Sequence, residues 1–191
     1  QDAAPVAVIG CGLGTSAEAH QRLESALGAC AACVLDADAL NLIAADAALA
    51  DRLRRRSGPR ILTPHPLEAA RLLGLSAADV QADRVAAARR LAERFDATVV
   101  LKGAGSVVAT RERFWINSTG NAALASAGTG DVLAGMIGAL LAQGFDAVQA
   151  VLAAVWLHGR AADEFGADVG LVAGEVAPLA ARALGRLRGA A

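Results

Sequence analysis

The 191-residue sequence has no apolar run long enough to span a bilayer, so nothing in it demands a membrane. It has no basic stripe either. The one dense run of positive charge, Arg52, Arg54, Arg55 and Arg56, stands just before Ser57-Gly58-Pro59, where a helix end favours cations. Nucleic acid is therefore not an expected partner. Three cysteines, Cys11, Cys30 and Cys33, are an odd count, and the Cys30–Cys33 spacing lacks the second pair that a zinc site needs. Set in alanine-rich sequence, they read as buried, reduced thiols of a cytoplasmic protein. Lysine is the scarcest of the charged residues: the basic side chains are nearly all arginine, and Lys102 is the only lysine. Its position, within Val99-Val100-Leu101-Lys102-Gly103-Ala104-Gly105, keeps a compact ammonium that can reach a single phosphate oxygen, which a planar guanidinium does differently.

What is present is the composition of one globular domain over 1–191. The chain is 55% hydrophobic with a net charge of −1, long enough to bury a good core, and without internal repeat or linker. Apolar strands and amphipathic helices alternate. Strands are expected at Val6–Gly10, Cys33–Asp36, Ile61–Thr63 and Thr98–Leu101, and a hairpin at Ser106–Thr110 and Phe114–Asn117. Helices are expected at Ser16–Leu27, Leu40–Arg56, Pro66–Leu73, Asp79–Phe95, Asp131–Gln143, Asp146–Phe165 and Gly174–Leu187. Strands separated by helices imply an α/β fold, a mostly parallel sheet covered on both faces. Ligands of such sheets collect at the carboxyl ends of the strands.

The residues that carry chemistry fall at those ends. Gly128-Thr129-Gly130-Asp131 opens an apolar helix. Glycines there let the backbone bring free helix-terminal N–H groups onto an anion, while Asp131 offers a carboxylate where a phosphoryl group and its acceptor would meet. The simpler possibility is that Asp131 only caps the helix. Thr63-Pro64-His65-Pro66-Leu67-Glu68 fixes His65 between two prolines and turns Glu68 back toward the strand end, where it could hold water or magnesium. His20 and His158 lie within helices and read as structural. Gly10-Cys11-Gly12-Leu13-Gly14 follows a strand, but Thr15 stands where a dinucleotide motif requires its last glycine. With Asp36 ending the second strand, an NAD-dependent oxidoreductase remains a weaker alternative.

Together these segments resemble the nicotinamide-nucleotide-hydrate dehydratases of the ribokinase-like superfamily. The resemblance rests on TPHPLE at Thr63, KGAG at Lys102, NSTGN at Asn117, ASAGTGDVLAG ending at Gly135, GCGLG at Gly10, LDADALN at Leu35 and LHG at Leu157. The histidine of TPHPLE favours the dehydratases over sugar kinases, which usually carry asparagine there. Cys11 stands where the family usually has proline. The family also has further sheet and helix before Val6, so the chain is expected to be a fragment that lacks N-terminal strands of the fold and to be unstable or self-associating alone.

The resemblance implies phosphorylation of the ring hydroxyl of the S epimer of hydrated NADH or NADPH (NADHX, NADPHX), then elimination of phosphate. The arginine bias fits a bacterial member, which selects ADP, with Mg2+, over ATP. Asp131 would be catalytic; Gly14, His65 and Asp131 would contact the hydrated nucleotide. Lys102, Gly103, Ala104, Gly105 and Ser106, with Asn121, Ala122, Ala123, Leu124, Ala125, Ser126, Ala127, Gly128, Thr129 and Gly130, would hold the adenine nucleotide. Glu68 would reach the metal through water. A homo-oligomer is expected, with an epimerase domain fused in a full-length chain. Two other readings stay open: a hydroxymethylpyrimidine- or hydroxyethylthiazole-type kinase, and a nucleotide-binding module without turnover.

Overall fold

Six short strands form one sheet in the computed structural model, which describes residues 5–189. They are β1 (Val6–Ile9), β2 (Ala32–Leu35), β3 (Arg60–Leu62), β4 (Thr98–Leu101), β5 (Val107–Ala109) and β6 (Phe114–Ile116). They lie side by side in chain order. The first four run parallel, and β5 and β6 return antiparallel as the expected hairpin.

The alternation of strand side chains divides the interior. Cys33, Leu35, Leu62, Val99, Leu101 and Val107 enter one core with the helices α1 (Ala17–Ala29), α2 (Ala37–Ala45), α3 (Ala47–Arg55), α4 (Pro66–Leu73), α5 (Ala77–Ala82) and α6 (Arg84–Phe95). Ala32, Val34, Ile61, Val100 and Val108 enter a second core under α7 (Thr129–Ala142) and α8 (Ala147–Phe165). A third cluster seals α9 (Ala173–Gly189) against α7 and α8. Every residue of β2 and β4 is buried, as strands covered on both faces require. At the outer edge, β1 pairs only with β2 among the described residues, and Val8 is 42% exposed.

Two expected helices are each broken in two. The run from Leu40 to Arg56 divides at Asp46, whose extended backbone ends α2 and whose carboxylate accepts the Ala48 amide to start α3. Asp83 divides α5 from α6 in the same way, accepting from the Ala86 amide. Aspartate competes for backbone N–H groups in just this manner, and uniform alanine on both sides hides the break from periodicity. The arginine run does close α3, as expected. The expectation of buried thiols fails in part: Cys33 is buried, Cys30 half-buried and Cys11 exposed, all three free. Among the described residues no helix is long and apolar enough to cross a membrane.

Candidate active site

Because β1 to β4 are parallel, their carboxyl ends share one edge of the sheet, and α7 begins over that edge. Asp36, directly after β2, is 1% exposed and takes the Lys102 ammonium on Oδ1 at 2.6 Å. Glu68 Oε2 stands 4.0 Å from the same ammonium. Lys102 also lies against the start of α7: a methyl group built on Gly130 would come within 3.2 Å of Nζ and 3.7 Å of Asp36 Oδ2. The only lysine therefore joins β2, β4 and α7 at one point. A buried carboxylate without its cation is costly, so the pair holds that point together.

Asp131 is not a cap. Gly128 is the N-cap of α7, in the left-handed conformation, and Asp131 sits in the first turn with its carboxylate exposed. One carboxylate oxygen each from Asp131 and Asp36 and the Cys11 sulfur lie within 4.8 Å of one another. Although Cys11 is exposed as a residue, desolvation of its thiol, then the neighbouring Asp131 carboxylate, push its pKa up to about 12, so the sulfur stays protonated. Gly14 is fixed by its amide, which donates to Asp38 Oδ2 at 2.8 Å.

His65 is the N-cap of α4. Its Nδ1 accepts the amides of Leu67 and Glu68 at 3.1 and 3.3 Å, and Glu68 Oε2 accepts the His65 amide at 2.7 Å. The Nε2 edge lies 3.2 Å from Glu68 Oε1. Pro66 at the first helical position suits this box. His65 thus bonds the backbone at the start of α4, and its imidazole is 45% exposed at the strand ends.

Beside these groups lies a cavity of about 560 Å³, within the range of small-molecule and cofactor sites. Lys102, Gly103, Ala104, Gly105 and Ser106 form one wall, and Asn121, Ala122, Leu124, Ala125, Thr129 and Gly130 another. Of the other residues of the expected nucleotide loop, Ala123 is packed into the third core, and Ser126, Ala127 and Gly128 do not line the cavity. A family model described as NAD(P)H-hydrate dehydratase matches residues 1–184. The chain belongs to that family.

Relatives of known name agree with it. The ADP-dependent (S)-NAD(P)H-hydrate dehydratase of Neisseria meningitidis is 51% identical over 180 residues, which cover 91% of this chain and 60% of that protein. The bifunctional NAD(P)H-hydrate repair enzyme of Escherichia coli is 44% identical over 168 residues, 87% of this chain and 31% of that one. The chain thus spans less than two thirds of the length of these relatives. The ADP/ATP-dependent NAD(P)H-hydrate dehydratase from Bacillus subtilis, co-crystallised with ATP and Mg2+, superposes with a TM-score of 0.83 at 34% identity, covering 97% of this chain and 66% of that one.

In this member of the dehydratase family, α8 is the part of the site that sequence reasoning missed. Buried His158 donates from Nε2 to the Thr129 carbonyl at 2.8 Å and lines the cavity. Burial pushes its pKa down from the ordinary 6.5, the Thr129 hydrogen bond opposes that, and the Lys102 charge adds to it. Asn121 Nδ2 donates to Ala162 O at 3.1 Å and the Gly120 amide to Asp163 Oδ1 at 3.0 Å. Thr119 Oγ1 lies 3.0 Å from Trp156 O, which accepts it. A polar histidine in an apolar helix was the one available signal, and Leu157-His158-Gly159 holds it. His20, by contrast, pairs with Asp46 at 2.6 Å, away from the cavity lining.

Proposed function

We propose that this chain carries the ADP-dependent dehydration of the S epimer of hydrated NADH or NADPH. The observation that carries the reading is one sheet edge. It holds a nucleotide-sized cavity walled by Lys102 to Ser106 and closed by the first turn of α7, with the Asp131 carboxylate one residue beyond the lining. The terminal phosphoryl group of ADP would lie between Lys102 and the α7 N-terminus. Both are fixed positive groups, and phosphoryl transfer depends chiefly on positioning and charge neutralisation. Asp131 accepts the proton of the ring hydroxyl as the new O–P bond forms and AMP leaves. The C–O bond then breaks, inorganic phosphate carries off the oxygen, and loss of a ring proton restores the dihydronicotinamide. Cys11, kept as a thiol beside the Asp131 carboxylate, does not compete for the proton.

In this reading His65 and Gly14 face the hydrated dinucleotide from the ends of β3 and β1. Magnesium fits the donor set: carboxylate oxygens of Asp36 and Asp131 lie within 4.8 Å of one another, and Mg2+ on a nucleotide usually needs only one or two protein carboxylates with phosphates and water. They would hold it, and it would neutralise phosphate charge. Glu68, taken up by its capping box, acts on it only through water and Lys102. A homo-oligomer in the cytoplasm and a fused epimerase domain complete the reading, the last in keeping with relatives named bifunctional.

The test is product analysis. Purified protein with ADP and hydrated NADPH should restore the absorbance of the reduced nicotinamide and release AMP and phosphate in equal amounts. A stable phosphorylated product would instead identify a kinase.

A further inference from the structure

The loop after β4 has its carbonyls and its amides treated oppositely. Arg84, the first residue of α6, donates from Nη2 to Leu101 O at 3.1 Å and Lys102 O at 3.2 Å, and from Nη1 to Ala104 O. Gly103 O accepts the Ser106 hydroxyl at 3.0 Å. Every carbonyl from Leu101 to Ala104 thus has a donor within the protein. The amides of Gly103, Ala104 and Gly105, however, have no acceptor among the described residues. All three residues line the cavity. Consecutive amides left free while their carbonyls are covered make an anion-binding concavity.

The guanidinium gains nothing from its own helix. A cation in the first turn opposes the macrodipole of α6, burial lowers its pKa, and Nε is buried without an acceptor. What it holds is the loop. Gly103, at φ +140, lies directly on it: a Cβ there would stand 2.9 Å from Nη2.

We infer that Arg84 is a positioning residue for the adenine nucleotide, whose guanidinium draws the carbonyls of Lys102 and Ala104 outward and so presents the amides of Gly103 and Gly105 to a phosphate, while its bond to Leu101 O anchors the end of β4. This rests on the nucleotide reading above and adds to it a residue outside the cavity lining. The rigid planar fork of a guanidinium suits several carbonyls on one side better than a rotatable ammonium does.

The test uses Arg84→Met and Arg84→Lys in the whole chain, with calorimetric titration of ADP and, separately, of hydrated NADPH. Losing hydrogen bonds from a charged donor should weaken ADP binding about tenfold in the Met variant. The Lys variant should fall between it and the parent, because one ammonium replaces part of the fork. Hydrated-dinucleotide affinity and the rate at saturating ADP should stay unchanged, a split that a general loss of structure would not give. Equal losses for both ligands, or unaltered ADP affinity, would overturn the inference. If Arg84→Met does not fold, Arg84→Lys keeps the charge and is judged by the same split. A parent protein that binds no ADP would overturn the proposed function itself, and this inference with it. Parent binding that neither substitution alters overturns the inference alone.

Discussion

Asp131 sits in the first turn of α7, whose N-cap is Gly128, and its carboxylate lies beside the Cys11 thiol. Asp131→Asn should therefore leave the helix intact and lower turnover by about 10²–10⁴-fold, the usual contribution of a general base. Calorimetry should show ADP binding little changed, and a variant keeping a tenth of the parent rate would remove Asp131 from the mechanism. His158 gives a second expectation at this scale. Its folded pKa lies below the unfolded value of 6.5, so the unfolded chain takes the proton first. Stability from this group is complete above pH 6.5 and falls as the pH drops from there toward the folded pKa. Urea unfolding between pH 8 and 5 should show that slope in the parent and lose it in His158→Gln, whose amide can still donate to Thr129 O. Parallel curves would mean that His158 titrates alike in both states.

Among the elements, α8 decides how the cavity wall is held. It is contacted by Thr119, Gly120 and Asn121 through hydrogen bonds, and Gly159 allows the approach: a methyl there would lie 2.1 Å from Thr119 Oγ1 and 2.6 Å from Thr119 backbone atoms. Gly159→Ala must then push the loop off the helix, since the Thr119 hydroxyl can turn away but its backbone, 2.6 Å from the added methyl, cannot. An overpacked contact of this kind typically costs about 1–3 kcal/mol. ADP affinity should fall with stability, read by urea unfolding and calorimetry on the same preparation. ADP binding at parental strength in a destabilised variant would show that the loop keeps its shape without α8. The broken helices belong to this scale too: Asp46 and Asp83 each commit a side chain to a new N-cap.

For the whole molecule, the cavity is a junction. Its walls come from the loop after β4, the segment before α7, α7 itself and α8, which belong to different cores. A ligand that binds there only in the folded state should stabilise all of them at once. At a hundred times its dissociation constant the gain is about 2.7 kcal/mol, which for a domain of this size is roughly 5–10 °C in the thermal midpoint. ADP should raise one cooperative transition by that amount in scanning calorimetry. Two transitions of which only one moves would show that the α7–α9 layer unfolds separately from the sheet.

The local sequence was enough to settle the fold class, the strand positions to within a residue or two, and the segments that meet at the sheet edge. Strand and helix periods, the double proline about His65 and the glycines before Asp131 are short-range signals that need no distant partner. The sequence also singled out Lys102 through its uniqueness. It could not show that the ammonium pairs with Asp36, 66 positions away, or that Arg84 lies beneath the loop that follows it. Nor could it separate His158 from a structural histidine, because the carbonyl that defines its role comes from Thr129, 29 positions earlier. Such contacts are chosen when parallel crossovers bring remote loops to one edge, and no local pattern encodes them. Periodicity fixes which face of an element is buried; only packing fixes which polar groups then find each other.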